Sequence, residues 1–198
     1  MTKYVLNSGG IRNSSNKGKW FFSEVLKELG PVPKLLICVF AQQREKWEGK
    51  FAEDVENMKT IFTGEASPVL SLAFPDTFGE QVKNCDAIYV HGGDDHLIAY
   101  WLKQFDVPKI WEGKVVATSS AGSHVLSQSF WTCDWRKLMF GLNILPIKFI
   151  AHFNSNYGVS DPRGPIDWNE AYAQLEKYGA THLPIYALKE GEFVVFEV

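Results

Sequence analysis

Apolar residues along this 198-residue chain fall into short unbroken runs, separated by stretches in which they recur every three or four positions. Tyr4-Val5-Leu6 is the first run and stops at Asn7-Ser8-Gly9-Gly10, whose polar residues and glycines mark a loop. From Trp20 to Leu29 the apolar positions take helical spacing and end at Gly30-Pro31, a helix-stop signal. Lys34 to Ala41 is continuously apolar, which suits a strand covered on both faces, as in a parallel sheet. Gln42 to Phe62 is charged apart from a stripe at Trp47, Phe51, Val55, Met58 and Ile61, and predicts a surface helix. Ser67 to Ala73 reads as a short strand and Asp76 to Asn84 as a short helix or loop. Cys85 to Val90 is an apolar strand that runs through His91-Gly92-Gly93-Asp94-Asp95-His96 into the helical Leu97 to Leu102. Strands alternating with helices in this way predict the α/β class: a three-layer α/β/α sandwich with a mostly parallel sheet, because parallel strands need crossovers. The length suits one domain spanning 1–198, with a core large enough to need no disulfides.

The chemistry concentrates where the next strand breaks. Val115-Val116-Ala117 runs through Thr118-Ser119-Ser120-Ala121-Gly122 into the helix-like Ser123 to Ser127, a strand, tight turn and helix with Ser120 at the apex. Small residues at 118 and 122 let strand and helix approach, and the Ala121 amide is left free at a helix start, where it can face a developing oxyanion. Thr118 stands where the strict glycine-x-serine-x-glycine elbow has a glycine, and a serine-capped loop is the plain alternative. Ligands of parallel sheets gather at the carboxyl ends of strands, so the Gly92-Gly93 turn and Ser120 are expected to face one pocket. A serine nucleophile also needs a base. Of the five histidines, His124 lies one helical turn beyond the serine, whereas His152 closes the strand-like Ile144 to Ala151 and opens the polar loop through Asn154 to Gly158.

With these features the chain resembles the peptidase E family of serine peptidases, which holds aspartyl dipeptidases and the related cyanophycinases. The resemblance rests on Val90-His91-Gly92-Gly93-Asp94 before a helix, Ser119-Ser120-Ala121-Gly122, Ala151-His152-Phe153 and Ala187-Leu188-Lys189-Glu190-Gly191. It implies a sandwich like that of class I glutamine amidotransferases, flavodoxin-like in build, with serine in place of cysteine. Ser120 would be the nucleophile, His152 the general base, and the amides of Gly92, Gly93 and Ala121 the oxyanion hole. Glu190 matches the family's glutamate and is the preferred third member; Asp134 falls where members carry another aspartate. Arg163, and Asn154 in the loop after the histidine, are the substrate-binding candidates. His91 replaces a glycine, Asp94-Asp95-His96 an asparagine-threonine turn, and Ala151 a proline. The implied activity is cleavage of a peptide or related amide bond in a small peptide substrate, without a cofactor. An acyl-transfer enzyme on the same scaffold, or a binding protein that kept it, are the alternatives.

Composition narrows the partners. The net charge of −3 and the scattered lysines and arginines speak against nucleic acid. Cys38, Cys85 and Cys133 are odd in number and far apart, so a reduced cytosol is expected and no zinc spacing is present. The first apolar run is too short for a secretory leader, and no run is long enough to cross a membrane. A homodimer is among the assemblies allowed. His91, Asp94, Asp95 and His96 together offer metal-ligand chemistry, but their spacing lacks the regularity that would converge all four.

Overall fold

The computed structural model describes residues 1–16, 18–62 and 67–198. In chain order the first part comprises β1 (Lys3–Asn7), α1 (Lys19–Leu26), β2 (Lys34–Cys38), α2 (Trp47–Ile61), β3 (Val69–Leu72), α3 (Phe78–Lys83), β4 (Ala87–Val90), α4 (Asp95–Leu102), α5 (Val107–Ile110), β5 (Val115–Ser119) and α6 (Ala121–Leu126). The rest is β6 (Ser129–Thr132), β7 (Lys137–Phe140), β8 (Lys148–Ile150), α7 (Trp168–Lys177), β9 (Ile185–Ala187) and β10 (Phe193–Glu197).

The fold is α/β. Six strands form a sheet in the order β10-β1-β5-β4-β2-β3, parallel except for β10, which pairs antiparallel with β1. Every residue of β4 and β5 is buried, which accounts for their unbroken apolar runs. The strand order has one consequence for function. β5 lies between β1 and β4, with Asn7 opposite Ser119 and Val90 opposite Thr118, so three loops leave the sheet side by side: Ser8-Gly9-Gly10, His91-Gly92-Gly93 and the turn at Ser120.

A second sheet, β7-β6-β8-β9, packs beyond α6; β6, β8 and β9 are parallel and β7 is antiparallel to β6. The parallel neighbours β8 and β9 deliver the segments that follow Ile150 and Ala187 to the same end of the sheet, where Leu188 N–H donates to Ile150 O and Phe153 N–H to Leu188 O. Under this sheet Lys148 is fully buried, and its ammonium donates to Leu175 O and Glu176 O at 2.9 Å each, closing the C-terminal end of α7.

The structure differs from the reading of the hydrophobic pattern in several elements. The helix expected from Gln42 begins only at Trp47, after a 3-10 turn at Arg44–Lys46, because Gln42 is held in the preceding turn: its carbonyl accepts from Trp47 Nε1 and its side chain bonds the Gly92 carbonyl. The run Ile144 to Ala151 is a strand only over β8, since Ile144 and Leu145 turn to donate to Leu126 O ahead of Pro146. The β6–β7 hairpin and α7 have no counterpart in that reading; the hairpin's four-residue strands are too short to show a period. Among the described residues no helix is long and apolar enough to cross a membrane.

Candidate active site

Ser120 occupies the sharp turn between β5 and α6 with φ 49° and ψ −112°, a backbone that L-residues rarely adopt. The surroundings enforce it. Ser120 N–H donates to Asn7 O at 3.0 Å, and Ser123 Oγ donates to the same carbonyl at 2.8 Å, so the turn is tied to β1 at two points. Thr118, in place of the strict elbow's glycine, is accommodated because its hydroxyl lies 2.7 Å from Ser123 Oγ in a fully buried pair. Gly122 cannot carry a side chain: a Cβ there would stand 2.6 Å from Val90 O.

His152 lies just past β8 with φ 55°, its amide donating to Ser8 Oγ at 2.6 Å and Ser8 Oγ in turn to Leu188 O at 2.6 Å. Its Nε2 is 3.1 Å from Ser120 Oγ and its Nδ1 is 2.9 Å from Glu190 Oε1. A carboxylate only accepts, so Nδ1 carries the proton and the Nε2 lone pair faces the serine hydroxyl. Burial lowers the His152 pKa below the usual imidazole value; the Glu190 carboxylate works in the opposite direction without reversing it. The imidazole is therefore neutral and able to accept a proton at neutral pH. Tyr157 stacks on the ring, centroids 4.1 Å apart, and its hydroxyl donates to Asp134 Oδ1 at 2.6 Å.

The other face of this pair is backbone. A Cβ on Gly9 (φ 103°) would lie 2.4 Å from His152 Cε1, and one on Gly10 would lie 2.7 Å from Glu190 Cβ, so only a bare main chain fits there. Gly92 packs equally closely on Ser120; a Cβ there would come within 2.9 Å of the serine Cβ. The amides of Gly92 and Gly93 have no hydrogen-bond partner among the described residues, and Ala121, as the first residue of α6, has none within its helix. Gln42 Nε2 donates to Gly92 O at 2.8 Å, which fixes that peptide plane with the Gly93 N–H on the side away from Gln42. Ser120, His152 and the Gly9-Gly10 and Gly92-Gly93 turns border one cavity of about 410 Å³, which Arg12 and Lys50 also line.

Of the residues singled out from sequence, Ser120, His152, Glu190, Gly92, Gly93 and Ala121 come together. Asp134 reaches His152 only through the Tyr157 ring. Arg163 and Asn154 do not border the cavity. The Arg163 guanidinium is engaged by Asp161 at 2.5 Å and by Asp134 O at 2.8 Å, and Asn154 is exposed in a left-handed turn. The four candidate metal ligands diverge. Asp94 caps α4 through the amides of His96 and Leu97, Asp95 binds His124, His91 Nε2 lies 2.7 Å from Asp54 Oδ2, and His96 contacts Lys137. All three cysteines are buried free thiols; burial pushes Cys38 up to about 12 and Cys85 up to about 11, which leaves neither as a thiolate nucleophile. Sequence reasoning missed Ser8, Gly9, Gly10, Gln42 and Tyr157. The Gly-Gly pair after the first strand was visible as a loop, but its place beside His152 depends on the strand order.

An α/β sandwich holding a strained serine against a carboxylate-bound imidazole is the arrangement of a serine hydrolase. The model of "Peptidase family S51" matches residues 49–197, and the chain belongs to that family of serine-type peptidases. Two solved structures share the fold, each with a TM-score of 0.67. One is a candidate peptidase E protein from Listeria monocytogenes EGD-e, 13% identical, the match covering 100% of this chain and 99% of that one. The other is a peptidase from an acI-B1 Actinobacterium, 20% identical, over 99% of this chain and 83% of that one. Among curated proteins, none matches the chain.

Proposed function

We propose that the chain hydrolyses small peptides of dipeptide size through an acyl-enzyme on Ser120. The observation that carries this reading is the continuous chain of contacts from Ser120 Oγ to His152 Nε2 at 3.1 Å and from His152 Nδ1 to Glu190 Oε1 at 2.9 Å. In the first half-reaction His152 takes the hydroxyl proton as Oγ attacks the scissile carbonyl, and the imidazolium is held by Glu190. The oxygen of the tetrahedral intermediate takes hydrogen bonds from the amides of Ala121, Gly92 and Gly93, and His152 then returns the proton to the departing amine. Water repeats the sequence on the acyl group. Asp134 acts at one remove, keeping Tyr157 pressed on the His152 ring. The cleft of about 410 Å³ falls in the size range of small-ligand sites. With Arg163 outside it, the basic groups lining the cavity are Arg12, which pairs with Asp54 at 3.3 Å, and Lys50, which pairs with Glu53 at 2.8 Å; an acidic side chain of the substrate would have to share these cations with their present partners.

The test is hydrolysis of a dipeptide panel and an active ester by wild type and Ser120→Ala, with intact mass after treatment with a fluorophosphonate. The expected result is one adduct on Ser120 and a loss of about 10³-fold or more in kcat for Ser120→Ala. Equal turnover by the two proteins, or no adduct on Ser120, overturns the reading.

A further inference from the structure

A second imidazole–carboxylate pair lies behind the site and takes no part in the proton transfers described above. His124, on α6 one turn after Ser120, is 2% exposed, and Asp95, the first residue of α4 after the Gly92-Gly93 turn, is also 2% exposed. His124 Nδ1 is 2.9 Å from Asp95 Oδ1, and its Nε2 accepts the Ala151 N–H at 3.1 Å. The ring is further clamped by stacking on Phe130, centroids 4.7 Å apart and planes 8° from parallel. These bonds fix which ring nitrogen donates and which accepts. Because the Ala151 amide can only donate, Nε2 must present a lone pair; Nδ1 then carries the single ring proton and gives it to Asp95.

The connections of this pair are what set it apart from an ordinary satisfied buried histidine. Its main-chain N–H makes the ordinary helix bond to Ser120 O at 2.9 Å, which seats the ring one turn from the serine, and the side chain supplies the rest. Its Nε2 holds the residue immediately before His152, and its Nδ1 holds the residue two places after Gly93. Rooted on the serine's own helix, the imidazole thus ties that segment to the two that carry His152 and the glycine-turn amides, and the three segments come from two different sheets. The lengths Ser120 O to His124 N and His124 Nε2 to Ala151 N are two links of a short closed ring whose remaining link is Ser120 Oγ to His152 Nε2.

We infer that His124 and Asp95 are positioning residues that set the separation between the Ser120 hydroxyl and the His152 imidazole, and not only fillers of buried space. The inference rests on the reading of Ser120 and His152 as nucleophile and base. It assigns distinct work to the two ring nitrogens, and amide side chains can separate them. Asparagine at 124 keeps an acceptor or donor near the Nδ1 position and falls short of Ala151. Glutamine reaches the Nε2 position and can accept the Ala151 N–H through Oε1.

The experiment is saturation labelling of Ser120 by a fluorophosphonate, resolved into the first-order rate constant and the inhibitor's binding constant, per folded molecule as measured by circular dichroism. A displacement of the base by less than an ångström is expected to slow His124→Asn about 10- to 100-fold in the first-order constant. Binding should stay within about twofold, since the pocket is not touched. His124→Gln is expected to recover most of the lost rate. Asp95→Asn, whose amide can donate to Nδ1 and turn an N–H toward Ala151, is expected to slow labelling as His124→Asn does; it carries the comparison where His124→Asn does not fold. A fall in melting temperature with wild-type labelling constants in His124→Asn and Asp95→Asn overturns the inference and leaves the proposed function standing. Wild-type protein that takes no label on Ser120 overturns both.

Discussion

Replacing Glu190 by glutamine keeps the side chain's length and an oxygen able to face His152 while removing its charge. The carboxylate is 2.9 Å from Nδ1. It should matter most once the imidazole has taken the serine proton and become a cation. Two unit charges about 4 Å apart interact by about 1 kcal/mol in water and about 4 kcal/mol at the effective dielectric of a protein surface. The Glu190 side chain is 29% exposed and that of His152 8%, so the pair lies between these limits. A loss of about 2–3 kcal/mol of transition-state stabilisation corresponds to about 30- to 150-fold in kcat/KM. If the amide presents its NH₂ to Nδ1 and stabilises the other tautomer, the loss grows toward the roughly 10⁴-fold known when the orienting carboxylate of a serine triad becomes an amide. The pH profile supplies an independent sign. Burial holds the His152 pKa below its ordinary value, and Glu190 partly offsets that by favouring the cation. Removing the charge must lower the pKa further. The acid limb of kcat/KM, which reports the free enzyme's base, should therefore lie below the usual imidazole range in wild type and move to still lower pH in Glu190→Gln while the plateau drops. The assay is kcat/KM for one dipeptide or active ester across the acid range for both proteins. An unchanged plateau, or an acid limb displaced upward, refutes the reasoning.

Gly9→Ala places a methyl group against His152 Cε1 at a backbone angle only glycine tolerates; kcat is expected to fall about 100-fold as the ring is pushed off the serine, with binding of a substrate-like inhibitor retained. Wild-type kcat in Gly9→Ala would contradict the packing. Gln42→Leu frees the Gly92 carbonyl and should reduce kcat about tenfold with KM little changed, because one fixed donor of the oxyanion site is loosened; a rise in KM alone would place Gln42 in substrate binding instead. Lys148→Met leaves two carbonyls at the end of α7 without their charged donor and should cost about 1–3 kcal/mol in urea unfolding, whereas an unaltered midpoint would show the ammonium to be dispensable.

The local pieces follow from neighbouring residues alone. An apolar run breaking into Thr-Ser-Ser-Ala-Gly fixes a strand, turn and helix with Ser120 at the apex, because the small residues that allow the bend all lie within a few positions of it. The continuous runs in β2, β4 and β5 announce strands covered on both faces, and the alternation with helices makes the sheet parallel. The positions of the residues that meet Ser120 were decided elsewhere. Gly9 and Gly10 touch His152 and Glu190 because β1 lies beside β5, and Gln42 reaches Gly92 because β2 pairs with β4. Neither the polar turn around Glu190 nor the Cys133 and Trp135 that flank Asp134 says which carboxylate meets the imidazole; β9 pairing with β8 brings one to Nδ1, while Tyr157 intercepts the other. His91, Asp94, Asp95 and His96 are near neighbours in sequence, yet their side chains leave in four directions, because the turn and the start of α4 rotate each residue away from the last. Spacing along the chain controls what a few adjacent side chains can do to their own backbone; which distant segments meet is set by strand order and burial, and these are properties of the assembled sheets.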